Sequence, residues 1–142
     1  LGDYNSIENL LGNKGAVILL YETKQNFGHW VALFYTDSSQ QEIEFFDSYG
    51  FKPDEELNYA KYDDQPYISE LIQKSNKKII YNTKKLQTFK EDINTCGRWT
   101  SLRIAMREVP LQKFQYLFKN NKSYNGDWFV SALTYIFTHK NQ

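Results

Sequence analysis

The chain has 142 residues, with 17 lysines and arginines against 17 aspartates and glutamates, so its formal charge is zero. Its 41% hydrophobic and 17% aromatic content can fill one domain core, residues 1–142, which excludes disorder for most of the chain. The longest unbroken apolar runs, 16–20 and 31–34, are far below the ~20 residues of a membrane span. No basic-then-apolar signal opens the chain, and zero net charge gives no general attraction to nucleic acid or a membrane surface.

In chain order, a short helix over 6–11 leads through Gly12-Asn13-Lys14-Gly15 into Ala16-Val17-Ile18-Leu19-Leu20-Tyr21. That unbroken apolar run predicts a central strand buried on both faces. Trp30-Val31-Ala32-Leu33-Phe34-Tyr35 has the same character, and Glu42-Ile43-Glu44-Phe45-Phe46 follows the polar turn 36–41. The two are expected to be neighbouring strands with a tight antiparallel connection. Over 53–74 the pattern turns helical: Asp54, Glu55 and Glu56 suit a first turn, Ile68, Leu71 and Ile72 keep helical spacing, and the stretch is expected to cover the sheet. Residues 78–81 and 85–89 are short strand candidates, a loop over 90–95 delivers Cys96, and the remainder reads as helix over 96–107, 111–119 and 127–138. The class is α+β, a mixed sheet between an early strand block and late helices.

A single cysteine, Cys96, excludes an internal disulfide framework and a multi-thiolate zinc site; with only His29 and His139 as imidazoles, no structural metal is expected. By count alone, a lone cysteine is more often a small buried hydrophobe. Its position argues otherwise, because it stands at the join of a polar loop and a predicted helix. There, unpaired N–H groups and the helix dipole favour a thiolate. His139, beside Lys140 and Asn141 near the terminus, reads as a solvated tail residue, which leaves His29, at the mouth of an apolar strand, as the candidate base. Asp47 directly follows Phe45-Phe46, where adjacent antiparallel strands can bring it beside His29; taken alone it is a turn aspartate of Asp47-Ser48-Tyr49-Gly50. Together, Cys96, His29 and Asp47 would supply a nucleophile, its base and a carboxylate that fixes the tautomer of the base.

Gly28-His29-Trp30-Val31-Ala32-Leu33, Phe46-Asp47-Ser48-Tyr49-Gly50 and Asn94-Thr95-Cys96-Gly97-Arg98-Trp99 resemble the three motifs of the adenain and Ulp1-like cysteine peptidases, in the family's order. The resemblance covers about Ala16 to Met106, and within the superfamily it is nearest to the capsid-maturation proteases of large DNA viruses, virophages and polinton-like elements. It implies an adenain/Ulp1-like fold, with a central mixed sheet packed against a helix that carries the nucleophilic Cys96 at its N-terminus. The implied activity is limited proteolysis of capsid or other virion precursors after small, glycine-type residues, in the virion and in the host cytoplasm or virus factory. A ubiquitin-like-protein deconjugase, an acyltransferase with the same triad and a non-catalytic peptide-binding module are the alternatives. The resemblance also implies an aromatic packed on the imidazole, the place of Trp30, and a glutamine oxyanion donor upstream of the cysteine, the place of Gln87, with Asn94 as its rival. Trp30, Asn94 and Gly97 are the residues expected to touch substrate. The enzyme is expected to be a monomer that needs no cofactor or membrane. Peptide activators of adenoviral relatives can be tethered through a second cysteine, so an activator here would bind noncovalently, and a DNA activator would use the basic stretch Lys74 to Lys85.

All three arginines, Arg98, Arg103 and Arg107, follow Cys96 closely. They read either as cations in the later turns of a helix or as partners for an acid near the cysteine. The first residue is Leu1 rather than Met, as in a processed or trimmed chain.

Overall fold

The computed structural model describes residues 1–25, 27–58, 65–87, 95–119, 126, 127, 130 and 131. Asn94, His139 and most of the helix expected over 127–138 lie outside them, as do 59–64 within the stretch 53–74 and the last two residues of 85–89.

Helix α1 (Ile7–Leu11) is capped by Ser6, whose hydroxyl accepts the N–H of Asn9 at 3.2 Å. It presents Ile7, Leu10 and Leu11 to the sheet. Strands β1 (Ala16–Lys24), β2 (Phe27–Tyr35) and β3 (Glu42–Phe46) are antiparallel neighbours, and β4 (Lys78–Tyr81) adds to β3 in parallel, giving a mixed sheet of order β1-β2-β3-β4. The parallel addition requires a crossover, which contains a 3₁₀ turn (Glu55–Asn58) and helix α2 (Tyr67–Ser75). Helices α3 (Cys96–Ala105) and α4 (Leu111–Lys119) follow. The class is therefore α+β with a mixed sheet, as the sequence indicates.

Side chains alternate across a strand, so β2 divides its residues between two cores. Val31, Leu33 and Tyr35 join Ile43 and Phe45 beneath α1 and α2. Ala32, Phe34 and Phe46 join Trp99 and Leu102 of α3 and Phe114 and Phe118 of α4. Gly28 is required by close approach, since a Cβ there would lie 1.9 Å from the carbonyl oxygen of Tyr21 on β1.

Three expectations need correction. Among the described residues β1 stands at the sheet edge and not at its centre, and its Ile18 is exposed. The acids of 54–56 do not open one continuous helix. Asp54 takes a left-handed turn (φ 64°), where its carboxylate accepts the Tyr21 hydroxyl at 2.9 Å and the N–H of Ser69 at 2.6 Å, and only Glu55 and Glu56 enter the 3₁₀ turn. Residues 85–87 form no strand; the N–H groups of Leu86 and Gln87 both bond to the Ser48 carbonyl, at 2.9 Å each, and fasten this segment to the turn after β3.

Candidate active site

The last β2–β3 pair is Ala32 with Phe46, so β2 runs on past the end of β3 and Asp47 leaves the sheet beside it. His29 lies on that overrun. Its Nε2 donates to Oδ1 of Asp47 at 2.8 Å, with both residues buried. The same oxygen accepts the N–H of Tyr49 at 2.7 Å, and the Asp47 carbonyl accepts the N–H of Gly50 at 2.8 Å. Asp47 is thus both a turn aspartate and the imidazole's partner. Asn82, just beyond β4, fixes its backbone: Asn82 Oδ1 accepts the Asp47 N–H at 3.0 Å, and Nδ2 donates to the Asp47 carbonyl at 2.5 Å.

Tyr49, and not Trp30, lies on the imidazole, with ring centroids 4.4 Å apart and planes 20° from parallel. Neighbouring residues of a strand point to opposite faces, which sends Trp30 to the α3 side of β2. There the indole is 39% exposed and stands 3.5 Å from where a Cβ on Gly97 would lie.

Cys96 is a free, buried thiol on the first residue of α3. Thr100 pins this end of the helix to β2, its hydroxyl bonding the carbonyls of Cys96 at 2.7 Å and Trp30 at 3.1 Å. Thr95, in the N-cap position, bonds Asp127 at 2.5 Å and makes no cap, so its side chain does not consume the first N–H groups of α3. Burial pushes the Cys96 thiol up, but its hydrogen bond with His29, the backbone of Trp30 and Gly97, and the imidazolium charge hold it below its ordinary value. Burial pulls the His29 imidazole down, yet hydrogen bonds to Asp47 and Cys96 and the charges of Asp47 and Glu56 raise it to about 10. Both shifts favour a thiolate–imidazolium pair at neutral pH.

Gln87 is buried in the same cluster. Its Oε1 accepts the Ser48 hydroxyl at 2.6 Å, which fixes the amide orientation, and Nε2 donates to the Tyr49 hydroxyl at 3.3 Å. Two members were not legible as site residues. Tyr49 is part of a motif, but only the fold shows which ring stacks on His29. Glu56 is 6% exposed, with Oε1 3.6 Å from Nε2 of His29, whereas the adjacent Glu55 merely accepts the N–H of Lys52 at 2.9 Å. Nothing in a run of three acids separates these fates; they follow from the phase of a 3₁₀ turn.

The sequence is 40% identical over 119 residues to the uncharacterized protein V9 of Sputnik virophage, a match spanning 79% of this chain and 67% of V9. The chain belongs to the V9 family. No family model matches it, and no solved structure does.

In this V9-family chain Arg103 and Arg98 have partners other than the thiol. Arg103 of α3 meets Glu44 of β3 in a buried two-pronged pair, Nε to Oε1 at 2.8 Å and Nη2 to Oε2 at 2.9 Å, and caps the carbonyls of Met106 and Val109 at 2.9 Å each. The acid near the cysteine helix is therefore an internal one. Arg98 reaches the Ser131 carbonyl at 3.4 Å. The lysines of 74–85 are dispersed: Lys77 pairs with Glu8 at 3.3 Å and Lys78 with Glu42 at 2.8 Å. No helix among the described residues is long and apolar enough to cross a membrane.

Proposed function

We propose that the chain is a cysteine endopeptidase of adenain/Ulp1-like fold that processes viral capsid or other structural precursors during virion maturation. The observation that carries this reading is the buried Cys96–His29–Asp47 relay, with its 2.8 Å imidazole–carboxylate bond and its thiol held below the ordinary value at the start of α3.

With Nε2 engaged by Asp47, Nδ1 is the nitrogen left to take the thiol proton. The thiolate attacks the scissile carbonyl, the imidazolium protonates the departing amine, and water hydrolyses the thioester. Asp47 holds the tautomer and stabilises the imidazolium. The Gln87 amide and the Cys96 N–H would donate to the oxyanion, where losing one donor costs about 3 to 4 kcal/mol of barrier. Trp30 against Gly97 narrows the approach to the sulfur and suits a small residue before the cut. Membership of a family with a virophage protein supports a viral substrate. A disulfide tether at Cys96 would consume the nucleophile, so an activator of the kind bound through a second cysteine has no attachment point in this sequence.

The test is to incubate the chain separately with the major capsid precursor of its virus and with a ubiquitin-like fusion. Discrete cuts after glycine-type residues of the precursor, absent with Cys96→Ala, are expected by mass spectrometry. Preferential turnover of the fusion would make the chain a deconjugase, and cleavage of neither would reduce it to a binding module.

A further inference from the structure

Three buried groups of metal-ligand type converge on one point behind the thiol–imidazole pair. His29, Asp47 and Glu56 are 7%, 0% and 6% exposed, and each offers a ligand atom within 4.8 Å of the others. Nε2 of His29 lies 2.8 Å from Asp47 Oδ1 and 3.6 Å from Glu56 Oε1. One N–H cannot satisfy two carboxylates. Asp47 Oδ2 and Glu56 Oε1 have no hydrogen-bond partner among the described residues, although both are buried. Unpaired buried carboxylate oxygens are costly, and such groups in a folded protein call for an ion or another compensating partner.

We infer that His29, Asp47 and Glu56 form a site for a divalent transition-metal ion, zinc above all, whose occupation silences the neighbouring thiol–imidazole pair. One imidazole nitrogen and two carboxylate oxygens are donors that zinc accepts, whereas calcium and magnesium take oxygen ligands in larger number. Zinc bonds of ~2.0 to 2.2 Å in a tetrahedron set neighbouring ligand atoms ~3.3 to 3.6 Å apart. The His29–Glu56 separation of 3.6 Å already meets that spacing, and the His29–Asp47 separation of 2.8 Å must open by about half an ångström. The ion would displace the Nε2 proton to solvent, balance the two carboxylates and leave a fourth position for water. With Nε2 metallated, His29 can no longer cycle through imidazolium, so zinc at this site would act as an inhibitor and not as a cofactor. The silencing rests on the peptidase reading, but the site itself does not.

The experiment is a calorimetric titration of zinc chloride into tag-free Cys96→Ala chain, in which the thiol, the other strong zinc ligand nearby, is gone. One ion per chain is expected, with affinity at least tenfold weaker once Glu56→Gln or Asp47→Asn is added; melting curves establish that each variant is folded. Cobalt(II) is the second probe, expected to give the visible bands of a four-coordinate ion with Cys96→Ala and to lose them with His29→Ala. Absence of saturable one-to-one zinc binding, binding undiminished in folded Glu56→Gln and Asp47→Asn variants, or no such cobalt bands would overturn the site. Silencing is read on the native chain as a zinc-dependent fall in the rate of Cys96 alkylation by iodoacetamide that Glu56→Gln relieves, and an unchanged rate at saturating zinc would overturn it. Peptide cleavage is never read, so this failure and failure of the peptidase reading are separate outcomes.

Discussion

Strand β3 leads into two buried charge clusters of opposite design. Glu44, in its middle, meets Arg103, and every polar contact there closes: both carboxylate oxygens accept, and the guanidinium also caps two carbonyls. Asp47, just past the end of β3, meets His29 beside Glu56, and two carboxylate oxygens have no hydrogen-bond partner among the described residues. The first cluster joins α3 to the sheet. The second keeps an excess of negative charge around one imidazole, which raises it and, through it, lowers the Cys96 thiol. A fully satisfied buried pair serves the fold; an incompletely satisfied one is where proton chemistry is available.

The sharpest way to break this comparison is to remove members of each cluster and read activity and stability separately. Cys96→Ala and His29→Ala should each lower peptide turnover ~10⁴-fold or more while changing the melting temperature little, and Asp47→Asn should leave residual turnover because the base survives. A large fall in melting temperature with Cys96→Ala would return the cysteine to a purely structural role.

Arg103→Ala should do the reverse. It leaves the buried Glu44 carboxylate without its partner and should cost about 3 to 5 kcal/mol of stability by denaturant unfolding. Replacing both partners with well-packed apolar residues should recover most of that loss; if it does not, the pair contributes more than mutual compensation.

A smaller effect is expected at Gln87. Gln87→Ala should lower kcat roughly 10²-fold with KM nearly unchanged, since an oxyanion donor matters most when the oxygen carries charge. An equal rise in KM would instead assign Gln87 to holding Ser48 and Tyr49 in place.

A pH-dependent effect is expected at Glu56. Burial raises its carboxyl against the pull of His29, with Asp47 and Glu55 adding to the rise, from 4.5 to about 7. A raised acid stabilises the fold fully below its unfolded value and loses that contribution as pH rises through the folded value. Glu56→Gln removes the dependence, so the stability of the variant relative to the native chain should improve between about pH 5 and 8. A difference that is flat with pH would mean that Glu56 is not desolvated.

Legibility in the sequence followed locality. Strands β3 and β4 and helix α4 appear where their patterns put them, because pattern and packing agree there. The mixed sheet and the start of α3 at Cys96 were equally readable. The edge position of β1 was not, since an apolar run looks the same whether helices cover both faces or leave Ile18 exposed. His29, Asp47 and Cys96 were named from chemistry and motif, and the fold gathers them. The stacking of Tyr49, the buried phase of Glu56 and the Asn82 clamp depend on contacts between distant segments, which no local pattern encodes.

The central claim is that His29 and its carboxylates make Cys96 a thiolate, and the most direct measurement is the pH dependence of its alkylation by iodoacetamide, with and without His29. The native chain should be labelled once per molecule, at a rate that persists well below the ~8.5 midpoint of an ordinary thiol, and His29→Ala should return the midpoint to or above that value. Coincident curves for the two proteins, both with an ordinary thiol midpoint, would contradict the account.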